Sequence, residues 1–445
     1  MTLRIALLTA LLIASAFLNA CVAGPQTAPA ENPANQAPVS ERGNEQVARV
    51  SVIADSAKVV AAFKTIQAMR EKNIERLIEI NEIPAPPFQE DARAKDLVKR
   101  FERLGLSNVN IDEVGNVLAR RSGTQSKHTV AVVAHIDTVF PPETDVTVRQ
   151  QGNVFHAPGI GDNTRGVVVL LSLLEALEHH DIQTQSDVLL IGSVGEEGLG
   201  DLRGVRHLFR QGGPKIDSFI AIDGGKPNRL ITRAVGSNRY RVTFQGPGGH
   251  SYGAYGRAHP HQALADAITR FKLNATPITA QGTKATFSVG QIGGGTSINS
   301  IPFESWMEVD MRSEDPSKLA QLDVAFQNAV QSALTAENER RQSNDPLTVD
   351  IKNVGKRPAG ANPPNTSLVL NASAALIYSG LTPELRASST DANVPISLSV
   401  PAITMSRGGK SRNAHAPNES WEDIDSHEAI QTLLLTLLME AGYTR

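Results

Sequence analysis

Three apolar segments, each followed at once by polar or charged residues, constrain the fold of this chain more than any other feature. They are Thr129–Ala134 (TVAVVA), Asp187–Val194 (DVLLIGSV) and Ser218–Ile222 (SFIAI). Continuous apolar and β-branched runs of this length are typical of strands buried on both faces of a sheet. Helical patterns separate them at Asn163–His179 and Leu202–Gln211. Because strands that alternate with helices form mainly parallel sheets, we predict an α/β domain with helices on both faces of a mostly parallel sheet.

The pattern changes near Gly236, where strands with period-two alternation replace the continuous apolar runs. The alternating strands are Arg239–Gln245, Ala285–Ile292, Ser305–Arg312 and Leu347–Val354, and helical patterns lie at His261–Phe271 and Asp315–Thr335. A strand–helix–strand–strand–helix–strand order is typical of a small α+β sandwich. We therefore predict a second domain at residues 236–355, inserted into an α/β domain that comprises residues 47–235 and 356–445.

The first residues have the pattern of a targeting segment. Arg4 supplies a positive charge, and Ile5–Phe17 is apolar, with the length of a signal-peptide core and too short for a comfortable membrane span. Leu18–Cys21 (LNAC) resembles a bacterial lipobox, in which the cysteine is lipidated. We therefore predict a signal peptide at residues 1–20 and lipidation at Cys21; a secretory signal with an incidental cysteine is the alternative.

Residues 21–46 are rich in Pro, Ala, Asn and Gln and lack an apolar period, which predicts a flexible tether. No later stretch is long and apolar enough to span a bilayer, so we expect attachment to a membrane through the lipid alone. The expected location is that of an exported, periplasm-facing lipoprotein. In a Gram-negative host the outer membrane is favoured, because Val22 replaces the aspartate that retains such proteins in the inner membrane.

Charge and cysteine content exclude several classes of protein. The 43 Lys and Arg residues against 46 Asp and Glu residues give a net charge of −3, which argues against a nucleic-acid partner. A single cysteine excludes an internal disulfide framework and a thiolate zinc cluster. Any metal ion must therefore be held by histidines and carboxylates.

Such residues follow the predicted strands directly. They are His135 and Asp137, Glu196 and Glu197, and Asp223, together with Asp162 at the start of a helix and His415 after the short strand Ala402–Met405. Since ligands of an open α/β sheet bind beyond the carboxyl ends of its strands, we expect these side chains to converge. Two histidines with several carboxylates suit Zn²⁺, with Co²⁺ or Mn²⁺ as alternatives, and one carboxylate can bridge two such ions.

Two of these residues are placed for supporting roles. The tandem Glu196–Glu197 provides one carboxylate for a metal ion and one to take a proton from a metal-activated water. Asp137 lies two residues after His135, where its carboxylate can accept a hydrogen bond from the second ring nitrogen and fix the imidazole. Gly408, beside Gly409, is predicted to let the backbone approach a substrate carboxylate.

The sequence resembles the co-catalytic dizinc hydrolases that include aminoacylase, glutamate carboxypeptidase and peptidase T. The matching stretches are Ala134–Pro141 (AHIDTVFP), Gly159–Gly166 (GIGDNTRG), Gly195–Gly198 (GEEG), Ala221–Gly224 (AIDG), Gly246–Ser251 (GPGGHS) and Ala414–Ala416 (AHA). The resemblance covers residues 60–445. It implies a three-layer αβα catalytic domain with an inserted ferredoxin-like lid domain, and a homodimer, because lids of this family often pair two subunits.

The resemblance also implies a role for each candidate residue. His135 and Asp223 would bind one metal ion, Glu197 and His415 the other, and Asp162 both. In the same way Glu196 would be the general base, Asp137 would orient His135, and His250 would be the lid histidine that stabilises the oxyanion. Asn299 and Arg312 resemble lid residues that hold substrate, although Arg312 could equally be an outward charge paired with Asp310 or Glu308.

The activity implied by the resemblance is dizinc-dependent hydrolysis of amide bonds in small peptides, by metal-activated water with a glutamate base. In this family an aspartate at the third ligand goes with aminopeptidases and dipeptidases, so Asp223 favours a peptidase that recognises a free α-amino group. The alternatives are an amidohydrolase, deacylase or carboxypeptidase that acts on N-acyl amino acids and, from another class, a non-catalytic binding lipoprotein.

Overall fold

The computed structural model describes residues 41–444. The predicted signal peptide, the predicted lipidation site Cys21 and most of the predicted tether lie outside the described residues. The tether prediction is wrong at its end, because the first helix begins at Glu41 rather than after residue 46. Val47, Val50 and Ala54 recur at helical spacing and pack into the main core, so the polar residues around them are the solvent face of an amphipathic helix.

The helices and strands have the following bounds. The helices are α1 (Glu41–Ala54), α2 (Ala57–Ala68), α3 (Arg70–Asn81), α4 (Asp91–Arg103), α5 (Gly166–His179), α6 (Arg203–Leu208), α7 (Pro260–Thr279), α8 (Pro316–Arg340), α9 (Ser367–Tyr378), α10 (Asn393–Ser397) and α11 (Ser426–Ala441). The strands are β1 (Val109–Ile111), β2 (Val117–Arg121), β3 (Thr129–His135), β4 (Arg149–Gln151), β5 (Val154–His156), β6 (Gln183–Thr184), β7 (Asp187–Ser193), β8 (Ser218–Ile222), β9 (Arg229–Ala234), β10 (Gly236–Gln245), β11 (Gly249–His250), β12 (Ala285–Gly294), β13 (Ser300–Ile301), β14 (Glu304–Ser313), β15 (Thr348–Arg357), β16 (Gly360–Ala361), β17 (Glu384–Ser388), β18 (Ala402–Met405), β19 (Lys410–Arg412), β20 (Ser420–Glu422) and β21 (Tyr443–Thr444).

The central sheet has the strand order β1-β2-β7-β3-β8-β18-β9-β16, and β17 also pairs with β9. Its middle strands β7, β3, β8 and β18 are parallel to one another. The pairs at its edges, β1 with β2, β2 with β7, β18 with β9 and β9 with β16, are antiparallel. The predicted parallel sheet is therefore confirmed for the buried centre, whereas the whole sheet is mixed, as large sheets commonly are.

Helices cover both faces of this sheet. Side chains alternate along β3, so Val130 and Val132 pack on one face and Ala131 and Val133 on the other. The first face is covered mainly by α1, α2, α4, α5, α9 and α11, and the second by α6 and α10. The three-layer αβα arrangement of the predicted fold class is confirmed.

The segment from β10 to β15 forms a second sheet with its own core. Its antiparallel strand order is β12-β14-β10-β15, and α7 and α8 pack on it through a core that includes Phe244, Phe271, Met307 and Phe326. Numbered within the segment, the strands have the order 2-3-1-4, which is that of a ferredoxin-like sandwich. The α+β character of this segment agrees with the sequence, and its roles as a lid and in dimerisation stay predictions.

Within residues 41–444, none of the helices combines the length and the apolar character needed to cross a bilayer.

Candidate metal centre

The candidate ligands lie at one edge of the central sheet. His135 is the last residue of β3, Glu196 and Glu197 follow β7, and Asp223 follows β8. Because these strands are parallel neighbours, their carboxyl ends meet at the same edge. The structure therefore brings these four residues together from stretches that are far apart in the chain.

Asp162 and His415 reach the same edge from loops. Asp162 lies in the turn Ile160–Arg165 that precedes α5, where its own backbone is not helical. The carboxylate of Glu419 fixes this turn, because it accepts hydrogen bonds from the backbone N–H groups of Gly161 and Asp162, both at 2.9 Å. His415 lies in the loop between β19 and β20, in the left-handed region with a φ of 65°. Sequence analysis missed Glu419; its position four residues after His415 was the signal available.

Asp162 lies between the two histidines. Its Oδ1 is 3.4 Å from Nε2 of His135, and its Oδ2 is 3.4 Å from Nε2 of His415. His415 also donates to Oε1 of Glu197 at 2.9 Å. One carboxylate thus presents one oxygen to each imidazole, which is the arrangement that a bridging ligand requires.

These residues fit a divalent metal ion. One ligand atom each from His135, Asp162 and Glu197 lie within 4.8 Å of one another. Nε2 of His135 is buried and has no hydrogen-bond partner among the described residues. A buried nitrogen without a partner is costly unless a ligand occupies it, and imidazole with carboxylates is a donor set that suits Zn²⁺, Co²⁺ and Mn²⁺.

The carboxylates of this centre raise the pKa values of its two histidines. Burial opposes a charge on His135, but the carboxylates of Asp137 and Asp162 outweigh it and raise the pKa of His135 well above its usual value. Hydrogen bonds to Asp162 and Glu197 raise the pKa of His415 to about 10. The carboxylates therefore favour the positively charged form of both imidazoles, and a bound cation would replace that charge.

A buried arginine, Arg407, adds a fixed positive charge that the sequence analysis did not assign. Its Nη1 donates to Oδ1 of Asp223 at 2.6 Å and to Oδ1 of Asp162 at 3.1 Å. Burial raises the pKa of Asp223, and the charge of Asp162 adds to this effect. Burial would also raise the pKa of Asp162, but Arg407 and the histidines hold it well below its usual range. The position of Arg407, two residues after the end of β18 and before Gly408, was the signal available in the sequence.

The fully buried Asp137 holds the loop that carries the glutamate pair. Its Oδ1 accepts the backbone N–H of Glu196 at 3.1 Å, and its Oδ2 that of Glu197 at 2.8 Å. Nδ1 of His135 lies 3.1 Å from the backbone oxygen of Asp137 and 3.6 Å from its Oδ1. Asp137 is thus beside His135 as expected, but its backbone oxygen is the nearer partner of the ring, and its carboxylate mainly positions the two glutamates.

Glu196 is buried and paired with an arginine from the inserted segment. Nη1 of Arg357, at the end of β15, donates to Oε1 of Glu196 at 2.8 Å, and its Nη2 donates to the backbone oxygen of Glu196. Burial raises the pKa of Glu196 well above its usual value, and the charge of Glu197 adds to this, while Arg357 opposes it. Arg357 is 161 residues away in sequence, and no pattern near it marks this contact.

His250 and Asn299 lie close together in the inserted segment, His250 in β11 and Asn299 directly before β13, which pairs with β11. The backbone N–H of Ser251 donates to the backbone oxygen of Asn299 at 2.9 Å. Nδ1 of His250 accepts the N–H groups of Tyr252 and Gly253 at 3.2 and 3.3 Å. In the part of the chain that the structure describes, no hydrogen bond or ion pair joins His250 or Asn299 to the metal-binding cluster.

Arg312 and Gly408 have other contacts. Nε of Arg312 donates to Oδ2 of Asp310 at 2.7 Å, so the surface ion pair named as the alternative is formed. Gly408 has a φ of 75°, and a Cβ there would come within 2.7 Å of the side chain of Ala429. Its N–H already bonds to Oγ of Ser406, and its carbonyl to Nε1 of Trp421. The left-handed turn and the close packing against Ala429 are therefore sufficient reasons for a glycine at position 408, independent of any contact with substrate.

Comparisons with known proteins give a family match and a similar fold. Residues 131–440 match the peptidase family M20/M25/M40. An uncharacterised Bacillus subtilis protein, YqjE, is 23% identical over 272 residues, which is 58% of this chain and 71% of that protein. An N-carbamoyl-L-amino acid amidohydrolase of Geobacillus stearothermophilus is 27% identical over 138 residues, covering 29% of this chain and 30% of the relative. The crystal structure of aminopeptidase PepT from Bacillus cereus superposes with a TM-score of 0.68 at 19% identity, over 83% of this chain and 98% of that one.

Proposed function

Since this chain belongs to the peptidase family M20/M25/M40 and is a metal-dependent hydrolase, we propose that it hydrolyses amide bonds in small peptides that carry a free amino terminus, with two zinc ions. The proposal depends on one observation: the carboxylate of Asp162 faces His135 with one oxygen and His415 with the other. Glu196 is buried beside these residues and is not one of the proposed metal ligands.

The residues of the centre divide into two ligand sets that share Asp162. His135 and Asp223 would hold one ion, and His415 and Glu197 the other. Such a pair supplies Lewis acidity at the scissile carbonyl and lowers the pKa of a water molecule.

Glu196 is the general base in this proposal. Its burial raises its pKa, so the carboxylate takes up a proton more readily and can deliver it to the leaving amine. Asp137 and Arg357 hold it from two sides, through its backbone N–H and through its carboxylate. A base fixed in this way loses little orientation during the reaction.

His250 serves as the oxyanion donor. Since its Nδ1 accepts two backbone N–H groups, the ring proton of the neutral imidazole resides on Nε2, which is left to donate. A donor of this kind stabilises charge that develops on a carbonyl oxygen. We propose that the inserted segment acts as a lid and brings His250 to the substrate, with Asn299 beside it.

A second candidate function has the same hydrolytic chemistry but a different substrate. The match to an N-carbamoyl-L-amino acid amidohydrolase favours an enzyme that removes an N-acyl or N-carbamoyl group from an amino acid. The two candidates differ in whether the pocket accepts a free amine. The aspartate at position 223 supports the peptidase.

Hydrolysis of matched substrates separates these candidates. We would load the mature chain with Zn²⁺ or Co²⁺ and compare di- and tripeptides with free amino termini against the same peptides after N-acetylation. Preference for the free amine supports the aminopeptidase, and preference for the acetylated set moves the protein to the amidohydrolases.

The Glu196→Gln variant is the matched control for catalysis. It should lose about 10³-fold or more in kcat while its metal content stays unchanged. Wild-type protein that binds metal but cleaves neither substrate set would leave the binding lipoprotein as the remaining candidate.

We further propose that the protein is exported, anchored through Cys21 and paired as a homodimer through the inserted segment. The support is the LNAC motif in the sequence and the open edge of the second sheet at β12. Mass spectrometry of the membrane fraction would detect the lipid, and its absence from Cys21 would refute the anchor. Light scattering that gives a monomer at micromolar concentration would refute the dimer.

A further inference from the structure

A cavity of about 200 Å³ adjoins the candidate metal centre on the side of Asp223. Asp223 and Asp162 form one wall, and the other walls include Arg229, Lys226 and Arg407 with several serine and threonine side chains. The two carboxylates belong to the metal centre. Apart from Gly224, Gly225 and Ile231, the rest of the lining consists of cationic and hydroxyl side chains, which are the donors that an anion requires.

Arg229 lines this cavity with a guanidinium group that has an unpartnered nitrogen. Its Nε is buried without a hydrogen-bond partner, and no ion pair to it occurs within residues 41–444. Glu384 lies opposite Arg229 in the register of β9 with β17, but its carboxylate bonds to Arg386. On the same strand, Arg233 pairs with Glu314 at 2.5 Å. A buried guanidinium nitrogen that lacks a partner is costly, so its position at a cavity points to a ligand.

Other side chains that line the cavity also have N–H or O–H groups that donate no hydrogen bond in the described part of the chain. Nε of Arg407 is buried and has no hydrogen-bond partner in the described chain. Oγ of Ser406 accepts the N–H of Gly408, and Oγ of Ser389 accepts from Arg357. Each of these hydroxyl groups therefore keeps its own proton for donation.

We propose that this cavity is a subsite for a carboxylate carried by the substrate, with Arg229 as the main recognition residue, so that the enzyme prefers substrates with an acidic side chain beside the scissile amide. The inference deepens the proposed function and rests on it for the identity of the reaction. The cavity shares Asp162, Asp223 and Arg407 with the candidate centre, so a group bound there lies next to the reacting bond. Its small volume suits a carboxylate on a short stem.

Isosteric substrate pairs test this specificity. We would measure kcat/KM for Glu-Ala against Gln-Ala and for Ala-Glu against Ala-Gln, which differ only in the charge of the side chain. Wild type should prefer the acidic member of one pair by roughly tenfold or more, which is the scale of one charge-assisted hydrogen bond. Arg229→Gln should remove that preference, and Arg229→Lys should retain part of it. Arg233→Gln, on the same strand and outside the cavity, should keep it in full.

A binding measurement separates this proposal from the proposed function. Glutarate, which carries the carboxylate without an amide, should raise the melting temperature of wild type and of Arg233→Gln but not of Arg229→Gln. Inorganic phosphate is the comparison anion. If glutarate stabilises the protein in a way that depends on Arg229 but no peptide is cleaved, the peptidase proposal is refuted and the carboxylate subsite is supported. Equal rates on both members of each pair, or stabilisation by phosphate but not by glutarate, would overturn the carboxylate subsite.

Discussion

At the scale of single residues, the centre is a cluster of acids and bases whose charges compensate one another. His415 donates to Glu197 and lies 3.4 Å from Asp162, and these contacts raise its pKa to about 10. Below that pH the metal-free imidazole is protonated. Since only the neutral imidazole binds a metal ion, loading the centre must displace this proton.

We therefore predict that metal binding releases protons and strengthens as the pH rises. At pH 7.5 the wild-type protein should release about one proton from His415, in addition to those from other ligands, and this share should be missing in His415→Ala. Apparent affinity should rise by up to about tenfold per pH unit for each such proton, until the pH passes the raised pKa. Titration calorimetry in buffers of different ionisation enthalpy measures the proton count. Equal counts for both proteins would contradict the assignment of His415.

At the scale of elements, the contact between β15 and the loop after β7 joins the inserted segment to Glu196. Arg357 and Glu196 are each 5% exposed, so their ion pair is shielded from water. Removing one partner of a buried pair leaves an uncompensated charge, whereas removing both can be nearly neutral.

We predict that Arg357→Ala lowers the free energy of unfolding by about 3 kcal/mol, and that combining it with Glu196→Gln recovers part of this loss. Urea unfolding of the two single variants and the double variant gives the coupling energy. Arg239→Ala is the matched control, because Arg239 pairs with Asp310 where both side chains are partly exposed, and it should cost less than about 1 kcal/mol. Additive losses for Arg357 and Glu196 would show that the pair does not act as a unit.

At the scale of the whole molecule, the predicted site is divided between two cores. The candidate metal ligands and Glu196 gather at one edge of the central sheet, whereas His250 lies in β11 and Asn299 directly before β13 in the inserted segment. His250 is exposed, with no polar contact to the cluster in the described residues. Its proposed part in catalysis therefore requires that the segment move toward the substrate.

We predict that His250→Ala lowers kcat by about 10²-fold or more, because a donor to the oxyanion acts only in the transition state. Metal content and the unfolding curve should be unchanged, since His250 is exposed and contributes little to packing. Steady-state kinetics with metal analysis checks both parts. A loss of metal together with activity, or an unchanged kcat, would contradict the lid role.

The amino-acid sequence by itself determined the fold class, the family resemblance and which residues gather at the sheet edge. These depend on local features, namely apolar runs such as Thr129–Ala134 and the polar residues that follow them directly. A residue that directly follows a strand in the sequence lies at the carboxyl end of that strand, wherever the strand lies in the sheet. The position of each residue in the sequence was therefore sufficient to predict that these residues gather at one edge.

Only the tertiary structure decided the surroundings of those residues. The pairing of Arg357 with Glu196, of Arg407 with Asp162 and Asp223, and the unpaired Nε of Arg229 follow from how distant segments meet. The strands β9 and β17 were not predicted from the sequence for the same reason. Their pairing with each other, and not their composition, defines them as strands. Periodic patterns report which face of an element is buried, but a contact across 161 or 245 residues depends on the path of the whole chain.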